Sequence, residues 1–404
     1  MSANMFSFRS LTHIGGLTRF ISNALTSSSD GIALPKVAIH DIEENPDKRA
    51  RTLKHLVKAN HINHAIIYHN LQFHNHAPHI LGSAYLLNAP SEHLTHIYDE
   101  ESKSLEPWSD SPGEISKEDW REFLGKREYQ RGFVDFFEDR LAIEHSYDWR
   151  ELVDEYLFDG EEPLINGLVC GLAHPLIHLG YAFELSSITL AVEALAMASC
   201  FYGPLHKYLD DPAYTTRPGE WKSADVVEVL QKMADDERFE GLVQEIGSEN
   251  YDALARDEKG EKLMLEYWNA WDIQDPKAAF EQSQRAAVGL LVGTKLEKSQ
   301  QYDFFIVHVL TSSHAVRILL PFIPAKWHVP LLRQWWLFVV TAYIMQLRPK
   351  FDINRITDFD LKDRDWRSVL DKALNSKWSI DAHFVKGERN PSAIHVRTSA
   401  NHIA

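Results

Sequence analysis

The chain has 404 residues, 44% of them hydrophobic, which is enough for a large buried core. Forty-two basic against 58 acidic residues leave a formal charge of −16, a surface that repels phosphate backbones and anionic membranes alike. The two cysteines, Cys170 and Cys200, stand in apolar stretches outside any CxxC pair, which excludes a disulfide framework or zinc ribbon and fits a reducing, cytoplasmic setting.

Along the chain, residues 1–40 read as a flexible tail. Its first 29 residues hold Arg9, Arg19 and several serines but no acid, and with no clear cleavage pattern a disordered tail is favoured over a transit peptide. Asn60–Asn88 predicts a helix broken near Pro78, and 100–114, with Pro107 and Pro112, a loop. Ser116–Leu124 carries the Ser-x-x-Asp signature of a capped helix start. Pro163–Phe201 is almost wholly apolar or small and predicts buried helices. Ile188–Phe201 and Trp335–Leu347 come nearest to a membrane span, but both are too short and read as core helices. Residues 209–285 are acidic and helical in pattern, an outer layer facing solvent. Tyr302–Pro324 and Pro330–Leu347 return to the core, Trp366–Lys386 gives a last helical segment, and 391–404 a loose tail. Strand-like alternation is scarce. The expected fold is all-α, one large helical body over 41–390.

Histidine is the unusual residue, with 21 copies. They gather in four segments. The first holds His74, His76 and His79. The second holds His174 and His178, four apart on one helix face, with Pro175 suited to a first turn and the apolar-embedded acids Glu184 and Glu193 following. The third holds His308, His314 and Arg317 among apolar neighbours. The fourth places Asp381, His383 and Lys386 at neighbouring helical positions, with Arg389 beyond. Any one segment is as well explained by hydrogen-bonded core histidines. Four together are costly to bury without purpose, which favours a histidine-built site, above all a metal site. Nitrogen-rich ligation leaves iron, copper, nickel and zinc open. H-E-x-x-H, G-x-G-x-x-G and P-loop motifs are absent, which disfavours a zinc protease or a Rossmann-bound flavin. Aromatic residues near the core helices, Tyr181 and Tyr202 among them, are mostly packing, and some are suited to line a flat pocket for an aromatic ligand.

F-H-N-H-x-x-H at Phe73–His79, H-P-L-I-H-L-G-Y-A at His174–Ala182, H-V-x-T-x-x-H-A-V-R at His308–Arg317 and D-x-H-x-x-K-x-x-R at Asp381–Arg389 resemble the questin oxidase-like proteins, in order, from about Asn60 to Arg389. The resemblance implies a fungal polyketide enzyme that opens an anthraquinone ring with O₂. Some members act as non-haem iron enzymes with histidines and a carboxylated lysine; others use NADPH or no bound cofactor. Carried over residue by residue, it implies His74, His79, His178 and His308 as Fe(II) ligands with Lys386 as the carboxylated lysine, Lys377 being the alternative. His76, His174, His314, Asp381 and His383 are then supporting or catalytic groups, and Arg317 holds substrate oxygen. The partner is a small aromatic polyketide, with no nucleic acid or membrane, and a homo-oligomer is left open. Two positions depart from the family pattern: Leu87-Asn88-Ala89 replaces a glycine-containing turn, and Ala382 an acidic residue. Both put questin itself in doubt as the substrate. The rival readings are a metal-free Baeyer–Villiger oxidase, a helical binding protein with structural histidines, and a zinc hydrolase.

Overall fold

The computed structural model describes residues 31–389, apart from 36, 216–220, 244, 248–249, 251–253, 255–256 and 295–301. The tail readings for 1–30 and 391–404 therefore lie outside the described residues. Helix α1 (Lys48–Asn63) starts at Asp47, whose carboxylate accepts from the Arg49 and Ala50 amides. The chain then departs from the predicted long helix. Residues Ile67–Tyr68 (β1) and Phe73–His74 (β2) pair as a two-stranded antiparallel ribbon. Three consecutive left-handed residues, His69, Asn70 and Leu71, turn it. The Gln130 side-chain amide holds both backbone groups of Ile67 at 2.9 Å. Pro78 opens α2 (Ala77–Leu86) rather than breaking a helix, because its missing N–H falls in the first turn.

Helix α3 (Ser91–Glu101) follows Pro90. The capped helix expected at Ser116 shrinks to a single 3₁₀ turn, Trp120–Phe123, with Asp119 accepting from the amide and hydroxyl of Ser116. Helices α4 (Gln130–Ile143) and α5 (Trp149–Phe158) lead to the central pair, α6 (His174–Leu185) and α7 (Ile188–Cys200). Every residue of α6 is buried, as the apolar sequence requires. After the short helices α8 (Lys207–Asp210) and α9 (Pro212–Thr215) come α10 (Val226–Asp235), α11 (Glu258–Ala270) and α12 (Pro276–Gly293). This acidic layer is more deeply docked than its charge implies. Trp268 is fully buried and its indole donates to the Arg333 carbonyl.

Helix α13 (Phe304–Leu319), capped by Asp303, packs on α6, α12 and α14 (His328–Met345). A Cβ on Gly180 would come within 2.9 Å of Ala315 Cβ, so α6 and α13 approach closely where only hydrogen fits. The predicted last helical segment is divided into α16 (Trp366–Asn375), which buries only Ala373, and α17 over 382–389, with α15 (Asn354–Thr357) before them. Part of the expected N-terminal tail joins the body: Ile32 is buried, and its amide donates to His328 Nδ1 at 2.8 Å. No helix among the described residues is long and apolar enough to cross a membrane.

Candidate functional site

Five elements converge on one buried cluster. Ribbon strand β2 and the start of α2 bring His74, His76 and His79; α6 brings His174 and His178; α13 brings His308; α17 brings His383 and Lys386. The approach to α6 is specialised. Gly171, Leu172 and Ala173 are all left-handed, and a Cβ at Gly171 would meet the Phe201 ring at 2.8 Å and His74 Nε2 at 3.1 Å. That turn aims the Gly171 carbonyl at His174 Nδ1, 2.8 Å away.

The hydrogen bonds fix which nitrogen is free. His174 Nδ1–H donates to Gly171 O, and His308 Nδ1–H donates to Phe304 O at 2.7 Å. Both rings therefore present an Nε2 lone pair inward, the arrangement metal-binding histidines adopt when a carbonyl orients the ring. His76 Nε2 lies 2.9 Å from His174 Nε2, and ligand atoms of His76, His174 and His308 all lie within 4.8 Å of one another. His308 Nε2 has no protein partner, nor have His74 Nε2, His383 Nε2 and Lys386 Nζ. His74 stacks on His174 with ring centroids 3.7 Å apart, and His383 lies against His76, His308 and Phe304. Lys386 is 0% exposed. Burial lowers its ammonium to about 7, with Asp381 pulling the other way. Burial, then the charges of Lys386 and neighbouring histidines, holds His76, His79 and His174 well below the usual imidazole range, and His308 likewise. In these four rings burial thus disfavours the protonated form.

The predicted residues separate on this geometry. His76 and His174, assigned supporting roles from the resemblance, supply two of the three converging nitrogens. His178, assigned as a ligand, has both nitrogens engaged: Nδ1 with His79 Nε2 at 3.0 Å and Nε2 with Glu193 at 2.9 Å. His79 retains a buried, unpartnered Nδ1, and its ring stacks on Tyr181. Tyr181 also bonds Ser83 at 2.6 Å and lies under the Arg389 guanidinium. His314 stands apart, 3.5 Å from Glu184 and 3.2 Å from Arg389, which itself bonds Glu184. Arg317 is buried close enough for its charge to lower His314. Asp381 caps α17 by accepting from the Phe384 amide. Tyr202 stacks on His206, outside the cluster, with a buried unpartnered hydroxyl. Lys377 is exposed and packs over Trp378, so of the two lysines only Lys386 reaches the histidines. The Leu87-Asn88-Ala89 turn keeps a positive φ of 77° at Asn88, a conformation asparagine tolerates in glycine's place.

Three residues escaped the sequence reading. His61 is buried between Glu193 at 2.9 Å and Glu138 at 3.0 Å, although it lies outside the four histidine segments. Glu138 left no signal, being one acid on a charged helix face. Phe304, 47% exposed, sets its ring against both His308 and His383 and forms the outer edge of the cluster.

A Baeyer–Villiger oxidase of Emericella nidulans, mdpL, is 28% identical over 220 residues, 52% of this chain and 49% of that protein. A questin oxidase of Aspergillus terreus is 26% identical over 166 residues, 39% of this chain and 36% of its own length. The chain thus spans about half or less of these two relatives. A Baeyer–Villiger oxidase of Pestalotiopsis microspora, GME11358, is 24% identical over 376 residues, 84% of this chain and 81% of that protein. The questin oxidase-like family matches residues 73–390, a span that contains every histidine of the buried cluster, and the chain belongs to that family.

Proposed function

We propose that this chain is an oxygenase that opens a ring of an anthraquinone-type polyketide, acting at the buried histidine cluster as a non-haem iron dioxygenase. The observation that carries the reading is the convergence of His76, His174 and His308 nitrogens beside an unpartnered, fully buried Lys386. The donor set fits a metal: two rings are locked by backbone carbonyls with lone pairs inward, and the third faces one of them at 2.9 Å. His76, His174 and His308 would hold the ion. Lys386, held near 7 by burial, has enough neutral amine at neutral pH to add CO₂ with loss of a proton, giving an anionic oxygen donor. Iron(II) held there supplies the one-electron reduction that lets dioxygen react with a closed-shell aromatic. The chain's own work is to exclude water, to orient the flat substrate against Phe304 and His383 at the outer edge, and to take up phenolic protons on neutral imidazoles.

A second reading, a metal-free Baeyer–Villiger monooxygenase on the same substrate class, is supported by the names of the relatives from Emericella nidulans and Pestalotiopsis microspora. Here NADPH or a reduced substrate provides the two electrons that take one oxygen atom to water. One experiment separates the readings. A panel of hydroxyanthraquinones is incubated with the purified protein under air and under argon, before and after exhaustive chelation, with bound metal quantified. Oxygen-dependent ring opening lost on chelation and restored by iron(II) supports the first. Full activity in metal-free protein removes it in favour of the second. A protein that binds the panel and consumes none of it is a binding protein.

A further inference from the structure

Away from the histidine cluster, two stretches of chain meet around a second group of donors. Glu162 and the 3₁₀ turn Leu164–Gly167 form one side, and Tyr202, His206 and α8 form the other. One ligand atom from each of Glu162, His206 and Asp210 lies within 4.8 Å of the other two. His206 and Asp210 stand one helical turn apart, with His206 Nδ1 at 2.5 Å from Asp210 Oδ2. Asn166 donates from Nδ2 to Asp210 Oδ1 at 2.7 Å and so fixes the carboxylate.

Tyr202 points to what this group is for. Its ring stacks on His206 with centroids 4.3 Å apart, and a Cβ on Gly167 would come within 2.5 Å of the same ring. The ring is therefore held in place, yet its buried hydroxyl, on a residue 9% exposed, has no partner. Burial first, then the charges of Asp210 and Glu162, push the phenol up, so the hydroxyl lies within the field of both carboxylates. A buried hydroxyl is costly unless something meets it. Among the described residues, neither Glu162 nor Asp210 pairs with a lysine or arginine. Arg121 bonds the Asp159 and Glu162 carbonyls, and Lys207 pairs with Glu261. Glu144, His145 and Glu155 make a similar group elsewhere, but there Lys117 lies 2.7 Å from Glu144 and 3.8 Å from Glu155, and Arg140 bonds Glu144. That group carries its own cations; the one at Tyr202 carries none.

We propose that Glu162, His206 and Asp210 bind a structural zinc ion, with a water held by the Tyr202 hydroxyl in the fourth position. One imidazole with two carboxylates suits zinc, whereas calcium and magnesium take oxygen ligands. The ion sits between His206 Nδ1 and Asp210 Oδ2, with the imidazole proton on Nε2. Donors about 2.0–2.1 Å from a tetrahedral ion stand about 3.3 Å apart, so the 2.5 Å contact opens as zinc enters. Asn166 keeps its bond to Oδ1. The ion fastens two segments that flank the histidine cluster. One runs on into the left-handed turn at Gly171–Ala173 that aims His174. The other follows Phe201, whose ring lies 4.4 Å from that of His74. The site rests on none of the chemistry proposed for the cluster.

The test uses the whole protein, stripped with chelator and titrated with zinc chloride by calorimetry. Bound zinc is counted by elemental analysis after gel filtration. His206→Ala, Asp210→Asn, Glu162→Gln and Tyr202→Phe are each made in a His174→Ala background, which takes one converging nitrogen from the buried cluster. Thermal melts without metal confirm folding. The background is expected to hold one zinc per chain and to melt higher with it. His206→Ala is expected to weaken binding at least about 100-fold and Tyr202→Phe about tenfold, since partners beyond the ligands are themselves worth 10–100-fold. Asp210→Asn and Glu162→Gln keep side-chain volume and carry the test if His206→Ala fails to fold. In the wild-type background the same substitutions are expected to lower the zinc count by one per chain, which covers a His174→Ala chain that fails to fold. A folded background that binds no zinc, or unchanged affinity in folded Asp210→Asn and Glu162→Gln, overturns the site.

Discussion

A lysine at 0% exposure with no hydrogen-bond partner is an energetic liability in an otherwise well-packed core. Lys386→Met keeps the length of the side chain and removes the polar head. Metal-free protein carrying this substitution is expected to be more stable than wild type by about 1–3 kcal/mol, the usual scale for an unsatisfied buried polar group, measured by chemical denaturation. The same variant is expected to lose bound iron and ring opening. Stability that falls instead means Lys386 has partners in the resting protein. His308→Ala and His174→Ala remove inward lone pairs oriented by carbonyls and are each expected to lower bound metal at least about tenfold, since even the orienting partners of such ligands are worth 10–100-fold. His314→Ala, whose ring sits with Glu184 and Arg389, is expected to leave metal content unchanged.

Elements aim these residues through their ends. His174 is the first residue of α6, and its orientation comes from the left-handed run that precedes it. Gly171→Ala forces a Cβ into a left-handed position, costing about 1–2 kcal/mol, and drives it against Phe201 and His74. Destabilisation beyond that figure, together with weaker metal binding, is expected in denaturant melts and metal titrations. The helices themselves were largely legible: apolar runs at 163–201, 302–324 and 330–347 gave the buried α6, α7, α13 and α14. The ribbon at Ile67–His74 was not, because a two-residue strand has no periodicity to read and its turn uses no glycine. The start of α2 at Pro78 was misjudged for a related reason. Proline marks a helix start as readily as a break, and only the flanking backbone decides.

At the scale of the whole molecule, distant segments are tied by buried ionic groups. Glu184 of α6 bonds Arg389 of α17, with His314 of α13 beside them. Burial alone raises such a carboxyl, but Arg389 and His314 outweigh it and hold Glu184 down to about 2 from its ordinary 4.5. A depressed folded-state value means stabilisation present above about 4.5 and lost as pH falls from there towards about 2. Acid unfolding of wild type should therefore steepen over that window, and Glu184→Gln should lack that component. At neutral pH the variant is expected to lose about 3–5 kcal/mol, because Arg389 is left buried with an uncompensated charge. A variant with wild-type stability at pH 7 contradicts this account.

The sequence by itself determined the helical class, the family, the four histidine segments and the need of Glu184 and Glu193 for buried partners. All of these follow from composition, period and local motif, which are written along the chain. Tertiary structure decided which nitrogens face inward. Both His178 and His174 lie on one face of α6, yet Glu193 of α7 engages Nε2 of the first, while a carbonyl before the helix frees Nε2 of the second. It also buries Lys386 and leaves Lys377 exposed, and it brings His61 and Glu138 together from helices that show no functional pattern. The role of an imidazole depends on what holds its other nitrogen, and that partner comes from elsewhere in the chain.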